Sequence, residues 1–523
     1  RSASIAFRVE ADAASQTLPI LEVGAAAWVD LPSDFRGRLV FLSADDGQPL
    51  VFGDDLLGFQ IGDDPIPSGL EAPFLNLAAV PEDPKRIAVP AGQYRVIAVR
   101  GPEYELSEQA LEALKGRNVA LHLEPLSRVA ETPGWIAADL HVHSGESFDS
   151  ATPQSRQIAA FAASGAEVLV ATEHDRIFDP RPALRATGLA TQLVTITGVE
   201  VTSSFRGGDS PHATGHWNAF PVRYHPRAYR GGAPKLEGRR AHDMIADIRR
   251  LEGAAFLQLN HPRPGLHDGE GDTYFSHLGV AGVPYDPTRP LTRKPNSVLV
   301  KAGEGHGLRD LDYDGVELMN GPDLLRYRRV RADWFSLLLQ GEFKIATANS
   351  DSHRLGVVVG LPRTYVEMPE DSLAGFSESA FLEALGAARA YGTTGPLLEV
   401  RLDETGLGGL HPGPSGVLSI HVEAAPWVPI REWRAYVNGE LVHRAPIAAG
   451  EAAQLPLAFE RDAFVTVEVE GPAEAVYAEA LPGFVPFAFS NPIFVDVDGN
   501  GRFDAPGLPN QLPTTLWDPD QVD

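Results

Sequence analysis

The sequence predicts an α/β protein whose central section of alternating strands and helices is flanked by two β-rich segments. Residues 1 to about 130 read as short β segments broken by Pro, Gly and Asp turns. From Trp135 to about Tyr391, apolar strand-like runs alternate with amphipathic stretches, the pattern of parallel βα units. From Leu397 a strict apolar/polar alternation returns. The expected division is residues 1–130, 131–396 and 397–523, in keeping with the two to four domains that 523 residues usually form.

In the first segment "SIAFRVEA", "RLVFLSA", "GQYRVIAVRG" and "NVALHLEPL" suit strands of a small sandwich, with one helical stretch expected from Ser107 to Leu114. The central strands are expected at "IAADL", "EVLVAT", "LVTITGVEV", "HWNAFPV", "AAFLQLN", "YDGVELMN", "KIATANS" and "TYVEM". Between the first two, Thr152 can cap a helix whose first turn holds Pro153. "RAHDMIADIRRLEG", "DLLRYRRVRADWFSLLLQG" and "SESAFLEALGAARAYG" are helix candidates that stop at Gly253, Gly341 and Gly392. A Gly/Pro-rich insertion between His261 and Tyr313 exceeds ordinary connection lengths and carries His267, Tyr274, His277 and His306, which can serve as a lid or supply a general acid, or stand as solvated loop residues. In the last segment "LLEVRL", "VLSIHVEA", "WRAYVNGELV" and "FVTVEVEG" alternate as strands, and Asn438-Gly439 signals a hairpin.

Composition narrows the function classes. Apolar residues at 43% and charged residues at 22% are those of a globular chain, and no apolar run is long enough to span a membrane. A net charge of -26 disfavours nucleic acid as partner, since phosphate binding calls for a basic surface. The absence of cysteine excludes disulfides, thiolate metal ligands and a cysteine nucleophile. The start at Arg1 without an apolar signal core suits a processed chain, which tilts the expectation toward a periplasmic or secreted location over a cytoplasmic one.

Twelve of the sixteen histidines lie between His141 and His353, and several fall at the ends of expected strands. In parallel α/β architectures the loops leaving those ends converge, so distant residues can share a site. His141 and His143 in "ADLHVHSGESFD" stand two apart on one strand face, ~7 Å from one another when extended. His174 in "ATEHD", Glu200 in "TGVE", His261 in "LNHP", and Asp351 and His353 in "NSDSH" end later strands. Each alone reads equally as a hydrogen-bonded side chain or a helix cap. Their recurrence at successive strand ends points to a metal site, and imidazole with carboxylate suits Zn, Mn or Fe better than Mg or Ca.

"DLHVHS", "TEHD", "GVE", "NHPR" and "NSDSH", in this order, resemble the motifs of the PHP (polymerase and histidinol phosphatase) superfamily of metal-dependent hydrolases, over roughly Trp135 to Pro396. With "GHWNAF" and "TTGP" the chain most resembles the CehA/McbA-like branch, which includes carbaryl hydrolase. The resemblance implies a distorted (β/α)7 barrel flanked by β-sandwich-like domains, with two or three clustered divalent metals. By the same resemblance His141, His143, Glu200 and Asp351 hold one metal. Glu200 bridges to a second that also takes His216 and His261, and Asp149, His174 and His353 hold a third. Asp149 stands where other members often carry His, and Glu173 where many carry Asp; His212 lies four residues before His216.

Such a centre implies a metal-bridged hydroxide that cleaves an ester-type bond, whether phosphoester, carboxylic ester or carbamate/amide, in a small, anionic or neutral substrate. No G-x-S-x-G elbow offers a serine alternative. Arg263 and Arg354, each within two residues of an expected ligand, can bind an anionic group or hold a neighbouring carboxylate, and His267 is a candidate general acid. "DVDGNGRFD" places Asp496, Asp498, Asn500, Arg502 and Asp504 at calcium-loop positions, although Gly507 stands where an EF-hand carries its bidentate Glu. The competing reading is a non-catalytic metal-containing binding or scaffold protein whose β domains recognise a ligand or surface.

Overall fold

The structure, a computed structural model, describes residues 26–52, 72–203, 212–235, 238–265, 273–279 and 282–509. "SIAFRVEA" and His267 lie outside them. Among the described residues no helix is long and apolar enough to cross a membrane.

The first segment forms two facing sheets. Arg36–Ser43 pairs antiparallel with Leu75–Ala78 and Gly92–Val99, and a smaller sheet joins Ala27–Asp30 to Arg86–Val89 and Asn118–Ala120. Phe41, Val96 and Leu111 from the first sheet meet Val29 and Val89 from the second in one core. The helix expected from Ser107 to Leu114 is instead the strand Leu106–Ala113, in register with Gly92–Val99 over its whole length. Leu111 and Ala113 turn inward while Ala110 and Glu112 face water, so pairing overrides the helical preference of "SEQALEAL".

The central section does not close into a (β/α)7 barrel. Its strands divide between two sheets, and the described residues contain only six α-helices beside twenty-six strands. One sheet runs in the order Val194–Thr197, Val168–Ala171, Trp135–Val142, Arg363–Glu367, Ala390–Thr393 and then onward into C-terminal strands. The other contains Val199–Ser203, Gly215–Phe220, Phe256–Asn260, Gly315–Asn320 and Ile345–Asn349. The physical reason lies in the connections. Only Gly198 separates Thr197 from Val199, so the chain changes sheet with no helix between, and Val199–Ser203, Gly215–Phe220 and Phe256–Asn260 then pair antiparallel. Arg363–Glu367 is antiparallel to both its neighbours, which carries the first sheet outward instead of around. Isolated bridges, Val142 to Ser352 and His174 to Glu200, draw the ends of the two sheets together.

Helices Gln154–Ala163, Ala241–Ile248, Leu324–Leu339 and Glu378–Gly386 occupy expected stretches. The last stops before Gly392 because Ala390–Thr393 is drawn into the sheet. Asn438 and Gly439, both at positive φ, turn Glu432–Val437 into Glu440–Pro446 as the hairpin signal implied. Glu432–Val437, Ala463–Glu470 and Phe487–Ser490 extend the first central sheet, whereas Leu397–Leu402, Ser415–Glu423 and Glu451–Ala458 form a separate one.

Glu167 precedes the Val168–Ala171 strand and accepts the Ala137 N–H at 2.9 Å. Burial pushes its carboxyl up to about 7, against the pull of that N–H and of Arg128. Between pH 4.5 and about 7 the folded chain therefore holds a proton that the unfolded chain releases, and stability falls as pH rises through this window. Relative to Glu167→Gln, the wild type should lose on the order of 3 kcal/mol between the two ends of that window. Paired denaturation curves check this, and a pH-independent difference between the two proteins would sink it.

Candidate metal centre

The nine side chains expected as metal ligands meet in one cluster. His141 is the penultimate residue of the Trp135–Val142 strand and His143 follows the strand, with their rings 5.0 Å apart. His141 Nε2 lies 3.2 Å from both Glu200 Oε1 and Asp351 Oδ1, and His143 Nε2 lies 3.2 Å from Glu200 Oε2 and from the same Asp351 oxygen. The donor atoms of these four residues all fall within 4.8 Å of one another, so the group could hold a metal ion.

His174, Glu200 and His216 form a second such group, and His143, His174 and His353 a third. His174 thus takes the place expected of His261, whose Nε2 stands farther out, 3.7 Å from Glu200 and 3.9 Å from Asp351. Asp149 reaches His174 Nε2 at 3.2 Å and His353 Nε2 at 3.3 Å, and those two nitrogens are 3.4 Å apart. His261, Asp351 and Asp175, the residue after His174, hold positive φ. Backbone of this kind costs about 1–3 kcal/mol and persists where its surroundings impose it, commonly at functional sites.

Second contacts fix which ring nitrogen faces the cluster. Glu317 Oε1 lies 3.0 Å from His141 Nδ1, which places the proton there and turns the Nε2 lone pair inward. Ser147 Oγ does the same at His143 Nδ1, and donates in turn to Glu173 at 2.7 Å. Burial lowers the His174 imidazole to about 4, against the attraction of Glu200, so it is a neutral donor at ordinary pH. Burial disfavours charge on His141 as well, but Asp351, Glu200 and Glu317 override it and hold its pKa well above the usual imidazole range. Those carboxylates demand a positive charge at the centre of the cluster.

The burial of the donor atoms suits a site that could hold a metal ion. His141 Nε2, His143 Nε2, Glu200 Oε2 and Asp351 Oδ1 are buried and make no hydrogen bond. Such groups ordinarily cost about 1–3 kcal/mol each, and here they converge on one point where a single cation would satisfy all four.

Arg263 is turned away from the cluster. Its Nε and Nη2 donate to Asp333 at 2.7 and 2.8 Å, and Nη1 and Nη2 also donate to the carbonyls of Phe275 and Tyr285, pinning the insertion to helix Leu324–Leu339. Arg354, by contrast, is exposed beside His353. Tyr274 donates to Asp310 at 2.6 Å and His277 Nδ1 accepts the Gly282 N–H, both within the insertion, while His306 pairs with Asp243 and ties the insertion to helix Ala241–Ile248. In the C-terminal loop, Asp496 and Asp498 gather with Asp462, which sequence reading did not nominate, and this group too could hold a metal ion. Asp496 already accepts the N–H groups of Gly499, Asn500 and Gly501, while Asp504 faces Arg502 and the Asn500 amide, so the loop is closed by its own bonds.

Glu317, Asn320, Asn349, Asn260 and Arg326 also escaped the sequence reading. Glu317 accepts from Asn320, Asn349 and the His261 N–H, Asn260 holds Glu200 at 2.8 Å, and Arg326 donates to Asn320 at 2.6 Å. The available signal was a lone carboxylate in the mostly apolar strand "GVELMN", where an ion tolerates burial only if paired or hydrogen-bonded. Glu317→Ala should weaken metal binding about 10–100-fold by freeing the His141 ring. Competition with a metallochromic chelator measures this, and unchanged affinity would remove Glu317 from the account.

No protein-family model matches the chain, and no curated protein does. Among solved structures it is similar to a DUF3823 family protein from Bacteroides ovatus, at 8% identity and a TM-score of 0.15 over 20% of this chain. The chain spans 58% of that protein's length, and so slight a likeness carries neither fold nor function.

Proposed function

We propose that the protein is a hydrolase that uses two or three divalent metals, Zn, Mn or Fe, to cleave an ester-type bond: a phosphoester, a carboxylic ester or a carbamate/amide. The observation that carries this reading is the convergence of four buried, unbonded donor atoms from His141, His143, Glu200 and Asp351. Kinship with the PHP superfamily, in its carbaryl hydrolase-like branch, is proposed on the motifs alone.

Bound there, divalent metals bring the pKa of water toward neutrality and polarise the oxygen under attack. The chain's own residues prepare for this. Glu317 and Ser147 keep protons on the outer ring nitrogens of His141 and His143, so the inner nitrogens stay free as donors. Asn260 and Asn320 hold Glu200 and Asp351 in place through their amide N–H groups. Arg354, exposed at the rim, is positioned to attract an anionic substrate group or a developing negative charge. Phe148, 71% exposed with its ring 4.8 Å from His174, offers an apolar surface at the same entrance.

The experiment is a panel of p-nitrophenyl phosphate, bis-p-nitrophenyl phosphate, p-nitrophenyl acetate and an aryl carbamate, assayed with added Zn, Mn or Fe. Turnover of at least one class should be lost to a chelator and restored by metal. A metal-loaded protein inert toward all four would favour the binding or scaffold reading.

A further inference from the structure

The Trp135–Val142 strand carries metal ligands at one end and borders a recess at the other. Trp135 stands six positions before His141, which in an extended strand is ~20 Å. The recess has a volume of about 340 Å³, within the range of small-molecule sites. One wall is the sheet containing Leu397–Leu402 and Ser415–Glu423. Glu399 there pairs with His421 and Leu397 with Glu423, so the side chains of Glu399, His421 and Glu423 stand on one face, and all three line the recess.

The opposite wall is aromatic. Trp135 packs edge-on against Tyr391 at 5.0 Å, and Tyr391 stacks on Tyr365 at 5.1 Å, which holds the partly exposed indole in place. Glu131 completes the lining, which contains no Lys or Arg. The nearby Arg128 is directed to Thr132 Oγ1, at 2.5 Å. Three carboxylates around a concave surface without a lining cation concentrate negative potential inside it. That potential repels anions, and a partly exposed indole in the lining favours a cation over an uncharged ligand of the same shape. We propose that this recess is a second binding site, remote from the metal centre, for a small organic molecule bearing an ammonium group.

The test is calorimetric titration of the full chain with choline and with its uncharged isostere 3,3-dimethylbutan-1-ol. Choline should bind at least about tenfold more tightly than the isostere, and about 0.5 M salt should weaken it. Glu399→Gln, at an exposed position, should weaken choline about tenfold while metal content and hydrolytic turnover stay at wild-type level. Trp135→Phe should weaken it less, because a phenyl ring retains part of the cation attraction. Equal binding of the isostere, tighter binding of a neutral disaccharide, an unaffected Glu399→Gln variant, or no choline binding up to about 10 mM would each overturn the proposal.

Discussion

Replacing Glu200 by alanine should lower turnover by at least about 10³-fold and strip metal from the protein while leaving the flanking β sheets folded. Glu200 is fully buried, and its two oxygens lie within 3.2 Å of nitrogens on His141, His143, His174 and His216. Glu200 is therefore shared by the ligand groups expected around His141 and around His174. His141→Ala removes a donor from the same cluster and should act in the same direction. Far-UV circular dichroism separates loss of the site from loss of the fold, and retained activity with a native spectrum would overturn the assignment of these residues.

Glu103→Ala should destabilise the protein by about 3–5 kcal/mol without touching the metal cluster. Glu103 and Arg363 are each 1% exposed, with the guanidinium donating to Glu103 Oε1 at 2.8 Å and Tyr365 donating to the same oxygen. Arg363 also donates to the carbonyls of Gly360 and Ser164, so this contact ties the end of the first segment to the central sheet. Removing the carboxylate leaves a buried guanidinium without its counter-ion. The double variant Glu103→Ala/Arg363→Met should recover part of the loss, because an apolar side chain carries no charge to desolvate. Urea denaturation of the two proteins gives both numbers, and a loss below about 1 kcal/mol for Glu103→Ala would show that the pair contributes little.

What could be read from the sequence follows from how local each feature is. The Asn438-Gly439 hairpin was legible because two residues at positive φ fix the turn without reference to anything distant. The central strands were legible from their apolar runs, and the clustering of the His, Glu and Asp side chains because few residue types can bind a metal and these recur at strand ends. The closed barrel was an expectation that the strand pairing overturns, since pairing depends on contacts far apart in sequence. Gly198 and the antiparallel neighbours of Arg363–Glu367 decide it, and neither carries a local signal. Leu106–Ala113 misled for the opposite reason, its helix-forming residues being recruited as a strand by Gly92–Val99. Arg263 stands two residues after His261 in sequence yet points to Asp333, whereas Glu317, 176 residues from His141, orients its ring. Adjacency along the chain proved a poor guide to the supporting contacts of this cluster.

The most direct measurement of the central claim is elemental analysis of the purified protein after supplementation with Zn, Mn and Fe. The cluster around Glu200 should retain about two to three transition metals per chain through desalting, and Glu200→Ala less than about one. A wild-type content below about one metal per chain, in folded protein, would contradict the account.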